Sequence, residues 1–415
     1  MSPVKTAPAA LTVGDTALRT QYLTEVLDLL YPAPCSTADR AGQRIVEYLV
    51  VPDARRPRLL VPAGSRKVAA AAVRRYAEPQ SRSARLKRDA VVAAIRSGAA
   101  GLLLRDRIMI TGPVAQSIDG HLRAALGRDL AVSIHIGPAR ANRKPVLQLI
   151  SPEGETFGFG KLGTRPLTRS LVRAETSALT GLSGAGLTKL TVPRVLHCGQ
   201  WRGLEVLIQS ALPVWLPRAP LTAGRLAAAM LDIAGCLGYT HGTLTGSVYW
   251  AELRARLASV GDHAEGAQLA AAAEQLGEYA GRQVLRFGSW HGDWAPWNMA
   301  NLTDALLVWD WERFARHVPT GFDAVHHELQ RCIQLSGDAT QAVEATVRRA
   351  GTLLQPFAVP PEARELTALL YLIDLATRYL TDRQAEAGAR LGVLGTWLLP
   401  VLIRRVEELT DRARS

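Results

Sequence analysis

Between Ser289 and Glu312 the chain reads SWHGDWAPWNMANLTDALLVWDWE. His291-Gly292-Asp293 is followed by Asn298, five residues after Asp293, and then by an apolar run, Ala305–Trp309, that ends in Asp310. The pattern predicts a catalytic loop, a short hairpin and a carboxylate at the end of a buried strand. Those are the parts phosphoryl transfer uses: a triphosphate held in line, its charge neutralised by metal, and a carboxylate beside the acceptor hydroxyl. Asp293 is the candidate for that carboxylate, and Asn298 and Asp310 carry the hard oxygen atoms that magnesium takes as ligands. A polar loop before a core strand is the competing reading. Trp294, Trp297, Trp309 and Trp311 are expected to be packing residues.

HGDWAPWN followed by VWDWE resembles the catalytic core of the aminoglycoside-phosphotransferase-like small-molecule kinases. These share the protein-kinase architecture, with HGD in place of HRD and a WDW-type segment in place of DFG. The resemblance implies ATP and Mg2+ as cofactors and an α+β, bilobal, protein-kinase-like fold with a β-rich N-lobe and a helical C-lobe. It also implies roles upstream. Lys161 closes an apolar strand, Thr156–Lys161, and would contact the α- and β-phosphates, with Glu175 on the following helix holding it in position. The stretch Gly137-Pro-Ala-Arg-Ala-Asn-Arg-Lys144 lies between two strand patterns and would form a lid over the phosphates, with Gly137 and Asn142 among its contacts. It lacks GxGxxG, and an ordinary hairpin fits the same residues. The backbone of Gln209–Leu212 would be the hinge that meets adenine, through Gln209 and Ala211.

The chain of 415 residues is 48% apolar and 21% charged, which describes a globular protein with room for two or three domains. No apolar stretch reaches the ~18–20 residues of a membrane span. The longest, Leu391–Ile403, is interrupted by Pro400. No leader pattern is visible at the N-terminus, and Cys35, Cys198, Cys236 and Cys332 form no CxxC pair. Reduced thiols and a cytoplasmic location are expected. Residues 1–130 hold 20 Lys/Arg against 11 Asp/Glu, most of the net charge of +12. The arginines are scattered and not interleaved with aromatic residues, which argues against a nucleic-acid partner.

Three regions are predicted: residues 1–130 as an N-terminal α+β extension without a catalytic constellation, 131–212 as the N-lobe, and 213–415 as the helical C-lobe. In the first, helices are expected at Thr20–Leu30, Arg66–Tyr76, Ala84–Ser97 and Ser117–Leu126, the last capped by Ser117 and stopped by Gly127. A hairpin is expected over Ile45–Val61 and a strand over Leu102–Ile110. Strands are then predicted at Val132–Ile136, Val146–Ile150, Val192–His197 and Leu204–Ser210. Later helices are expected over Leu221–Tyr239, Tyr249–Leu257, His263–Tyr279, 341–354, 361–384 and 386–412. Asp323 reads as the N-cap of a helix, and His326 and His327 as ordinary residues of it, without metal ligands at the right spacing.

Residues 323–415 hold 12 Asp/Glu and 11 Lys/Arg, and Arg313 and Arg316 follow the catalytic stretch. That balance disfavours a polycationic acceptor and favours a neutral or anionic hydroxyl compound, such as a sugar or a glycan intermediate. The reading is therefore an ATP/Mg-dependent phosphotransferase of a small-molecule hydroxyl. The alternative is a kinase-fold nucleotide-binding regulatory or scaffold protein that docks a partner through its basic N-terminal segment. Protein partners are not specified by the sequence.

Overall fold

The computed structural model of the protein describes residues 13–37, 42–75, 82–137, 143–385 and 391–412. Asn142, most of the expected lid (138–142), Tyr76, the tail 1–12 and residues 386–390 lie outside the described residues. The chain divides into two compact units, one of Met1–Ala139, Arg143–Arg169 and Val195–Ala211, the other chiefly of Ser170–Arg194 and Leu212–Ser415.

The first unit is built on an eight-stranded sheet. In chain order it contains α1 (Val13–Leu30), β1 (Arg44–Val51), β2 (Leu59–Pro62), α2 (Arg66–Arg75), α3 (Arg82–Ser97), α4 (Ala100–Leu103), β3 (Arg107–Thr111), α5 (Ile118–Leu126), β4 (Ala131–His135), β5 (Val146–Ile150), β6 (Thr156–Gly163), β7 (Val195–Trp201) and β8 (Leu204–Ser210). The strand order is β3-β1-β2-β4-β5-β6-β8-β7. Successive strand residues face opposite sides, and β1 shows the result. Tyr48 and Val50 join one core with Val26 and Leu30 of α1 and Ile118 and Leu122 of α5. Leu49 joins the other core with Val68, Ala72 and Val73 of α2 and Val92 and Ile95 of α3. The ends of α5 follow from its sequence: Ser117 accepts the Gly120 N–H, and Gly127 takes the left-handed conformation with φ 61°.

The segment before residue 130 is not set apart from the one after it. Leu59 and Leu60 of β2 pair with His135 and Ile134 of β4, and Ser133 Oγ donates to Leu60 O at 2.7 Å. The expected boundary at 130 therefore falls inside one sheet. Other elements also differ from expectation: of the helix expected over 386–412, the described residues form α-helix only over Leu399–Asp411. The apolar Gly101-Leu-Leu-Leu104 stretch is too short for periodicity to distinguish helix from strand; it lies in and just beyond α4, and β3 starts later. β7 starts after Pro193, which has no N–H to give a ladder.

The second unit is mainly helical. It contains most of α6 (Pro166–Ser183), then α7 (Ala223–Gly235), β9 (Thr240–Thr243), α8 (Val248–Ala258), α9 (Ala264–Ala280), β10 (Val284–Trp290), β11 (Met299–Asn301), β12 (Leu306–Val308), β13 (Ala315–Pro319), α10 (Phe322–Ser336), α11 (Ala339–Arg348), α12 (Ala350–Leu353), α13 (Arg364–Thr381) and α14 (Leu399–Asp411). Every residue of α13 from Leu366 to Thr377 is buried, as expected of a helix at the centre of a core. β10 lies between β13 and β9 in a three-stranded sheet. A sheet unit and a helical unit match the α+β class expected from the sequence. No described helix is long and apolar enough to cross a membrane.

Candidate active site

β10 ends at Trp290, and the chain turns through His291-Gly292-Asp293. Only glycine fits at 292: φ is 81°, and a Cβ there would lie 2.2 Å from Arg313 O. The backbone of this turn is clamped from two helices. The Asp323 carboxylate on α10 accepts the N–H groups of His291 (2.8 Å) and Gly292 (3.1 Å), and Arg378 Nη1 on α13 donates to Gly292 O at 2.6 Å. Asp323 is therefore not the N-cap expected from the sequence. Gly321 occupies that position, and Asp323, inside the first turn, faces the loop. Burial pushes its carboxyl up to about 7, against the opposing pull of the two N–H donors.

His291 is fully buried and braces the loop from within. Burial lowers its pKa to about 4, so the ring is neutral. Nδ1 accepts the Asp293 N–H at 3.1 Å, which leaves the proton on Nε2, 3.1 Å from Trp309 O. The ring also packs edge-on against Trp311, with centroids 4.4 Å apart.

Asp293 has a polar neighbour at each carboxylate oxygen while its side chain remains 32% exposed. Oδ2 accepts from Asn298 Nδ2 at 3.0 Å, and Oδ1 lies 3.1 Å from His326 Nε2. Burial raises its pKa, but the His326 contact and the Arg378 charge outweigh that and hold the group below the usual carboxylate value. Asn298 Nδ2 also donates to Asp293 O at 2.9 Å, so Oδ1 is the side-chain atom of Asn298 that remains to meet a cation.

The hairpin β11–β12 returns the chain to this loop. Trp309 N donates to Asn298 O at 3.0 Å, and Asp310 follows in the left-handed conformation, φ 73°. Carboxylate oxygens of Asp310, Glu312 and Glu175 lie within 4.8 Å of one another. Glu175, on α6, is fully buried and accepts the Trp311 N–H at 3.3 Å. The donors are hard oxygens of the kind that take Mg2+. The residues present fit that ion.

The expected site residues thus form two connected groups in the helical unit: Asp293 with Asn298, and Asp310 with Glu175. Of the other expected residues, Lys161, Gly137, Gln209 and Ala211 belong to the sheet unit, and Asn142 lies outside the described residues. Lys161 is buried in β6, opposite Val146 of β5 and Leu207 of β8. Gly137 follows β4. Gln209 is buried in β8 opposite Phe159. The Ala211 N–H is already donated to Phe157 O at 2.9 Å, so an adenine contact at that residue would fall to its carbonyl. Of the four tryptophans, Trp294 and Trp311 are fully buried, whereas Trp297 is 48% exposed beside Asn298.

His326, Arg378 and Glu312 were not found from the sequence. A signal existed for His326: it stands three residues after Asp323, on the same helical face.

No protein-family model and no curated protein matches the chain. Among solved structures it is similar to the choline kinase LicA of Streptococcus pneumoniae in complex with AMP, at 14% identity and TM-score 0.47, covering 70% of this chain and 97% of that one. It is also similar to a thermostable mutant of aminoglycoside phosphotransferase APH(4)-Ia, at 14% identity and TM-score 0.44. A third is a putative fructosamine-3-kinase from Thermobifida fusca, at 19% identity and TM-score 0.43. The second and third comparisons each cover 71% of this chain and 99% of the other. These structures are small-molecule phosphotransferases by name, the group that the HGDWAPWN and VWDWE segments resemble. With TM-scores no higher than 0.47 in these three, the likeness carries no weight in assigning chemistry, which stands on the side-chain geometry.

Proposed function

We propose that the protein is an ATP- and Mg2+-dependent phosphotransferase acting on a hydroxyl group of a small molecule. The observation that carries this reading is the pairing, across the Trp309–Asn298 hydrogen bond, of an ionised, partly exposed Asp293 with the Asp310–Glu312–Glu175 carboxylate group. In this reading Asp293 orients the acceptor hydroxyl and takes its proton as the new P–O bond forms and the γ-phosphorus bond to the bridging oxygen breaks, releasing ADP. Asn298 Oδ1 and Asp310 hold the metal, with Glu312 and Glu175 adding negative charge beside them. Mg2+, when bound, neutralises the charge of the transferring phosphoryl group.

The finer identity of the acceptor follows from charge. Arg378 holds the loop carbonyl next to Asp293 and lends positive potential to the carboxylate. A polycation is disfavoured there, and a neutral or anionic hydroxyl compound, a sugar or glycan-related molecule, is favoured. A thermal-shift titration with Mg-ATP, followed by phosphate transfer to a panel of neutral, anionic and cationic hydroxyl compounds, tests both levels. Absence of a Mg-dependent shift with ATP would sink the proposal.

A further inference from the structure

His326 lies on α10 with none of its surface exposed. Its Nε2 lies 3.1 Å from Asp293 Oδ1, within ion-pair reach but without the angle of a formed hydrogen bond, and that nitrogen is left with no hydrogen-bond partner. Its Nδ1 lies 2.8 Å from the hydroxyl of Tyr371 on α13. The two rings stand nearly perpendicular, 5.8 Å between centroids, and Tyr371 is also fully buried.

The proton positions follow from these contacts. Burial lowers the pKa of His326, so the neutral ring with a single N–H is the form to consider. With that proton on Nδ1, a bare Nε2 lone pair would face an ionised carboxylate, two acceptors at 3.1 Å. With the proton on Nε2, Tyr371 donates to Nδ1, Nε2–H donates to Oδ1, and each group has a partner of the right polarity.

We propose that His326 is a positioning residue for Asp293: locked by Tyr371 as the Nε2–H tautomer, it donates to Oδ1 while Asn298 donates to Oδ2, and together they fix the plane of the carboxylate. This rests on the reading of Asp293 as the group that activates the acceptor. A carboxylate free to turn about its Cβ–Cγ bond spends only part of its time in line with an acceptor oxygen; one held at both oxygens keeps its outward lone pairs aimed. Misplacement by ~1 Å is enough to cost ~100-fold in rate. Nothing in this role moves a proton to or from the histidine during turnover.

The test uses the full chain, with phosphate release from Mg-ATP to water as the assay. His326→Leu keeps bulk and removes the donor; His326→Gln returns an N–H close to the position of Nε2. His326→Leu is expected to lower kcat about 100-fold, with the KM for ATP within about threefold, and His326→Gln to recover all but about tenfold of the loss. Long-range 1H–15N spectra of the wild-type protein should show the Nε2–H tautomer, a readout that does not require any variant to fold. Wild-type kcat in His326→Leu, a His326→Gln variant as slow as His326→Leu, or an Nδ1–H tautomer would each overturn the inference. Phosphate release unaffected by Asp293→Asn would instead overturn the phosphotransfer reading beneath it. Release abolished by Asp293→Asn yet unaffected by His326→Leu would overturn this inference alone.

Discussion

Asp119 in the sheet unit and Asp293 in the helical unit are both carboxylates packed among rings and near an arginine. Asp119 accepts from the Tyr31 hydroxyl at 2.7 Å, and Tyr31 in turn meets the Tyr48 hydroxyl at 2.6 Å. Burial pushes the Asp119 carboxyl up, and Tyr31 and Arg123 only partly offset that. At Asp293 burial pushes the same way, yet the His326 contact and Arg378 reverse the direction. What separates them is the donors and the outlet. Asp119 has a phenol partner and is 2% exposed, whereas Asp293 has the contacts of His326 and Asn298 on its two oxygens and a side chain 32% exposed. A nearly buried carboxyl with a neutral phenol for its side-chain donor can serve packing as an acid. One held ionised beside an opening can work on a substrate.

The strongest way to break the contrast is Asp293→Asn. The variant keeps the shape and loses the charge, and turnover of Mg-ATP should fall by about 10³-fold or more, while calorimetric ATP affinity changes by less than about threefold. Retained turnover would place Asp293 in the same class as Asp119.

Asp323 supplies the next largest effect and sharpens the contrast, since it behaves like Asp119 although it touches the same loop as Asp293. Its carboxyl stands at about 7 against an ordinary 3.8. In the unfolded chain the group ionises near its ordinary value; in the fold it resists ionisation until about pH 7. The folded state therefore binds the extra proton between those values, and wild-type stability is lost as pH rises through that window. At 1.36 kcal/mol per unit the full span is worth up to about 4 kcal/mol. Asp323→Asn removes this dependence, whatever constant offset it introduces. Urea midpoints at pH 4.5 and 8 should show the variant gaining on the wild type as pH rises; a gap independent of pH would refute the assignment.

How much of this could be read from the sequence depended on distance along the chain. The closeness of Asp293 to Asn298 and the place of Asp310 just after β12 were legible because a loop and one hairpin set them, and a hairpin is a local object. The caps of α5 at Ser117 and Gly127 were legible for the same reason. His326 and Arg378 were not, because their approach to Asp293 depends on how α10 and α13 pack. Asp323 was misread by a local rule: an acidic residue at a helix start satisfies the N-cap pattern, and only the tertiary structure shows that Gly321 holds that position and that the carboxylate turns to the loop. The joining of β2 to β4 was hidden because strand alternation reports which face is buried, not which strand lies alongside.

Asp310→Ala tests the second acidic group. Loss of this ligand should weaken Mg-dependent nucleotide binding by about 100-fold, at least the cost of losing an outer-sphere partner of a metal site. Metal-free ATP binding should change little. Equal losses with and without Mg2+ in calorimetry would assign Asp310 to the loop's structure and leave Asp293 without a metal centre beside it.

The smallest effect is expected at Asp119, and it decides whether the contrast is real. Asparagine in place of Asp119 retains an oxygen that can accept from Tyr31, and the group it replaces is already shifted toward its neutral form by burial. Stability in urea should therefore change by less than about 1 kcal/mol, the net worth of a single hydrogen bond, and Mg-ATP turnover should match the wild type. Should Asp119→Asn reduce turnover as Asp293→Asn does, the buried tyrosine–aspartate group of the sheet unit would have to belong to the chemistry, and the direction of a carboxyl's pKa shift would no longer separate a packing acid from a working one in this protein.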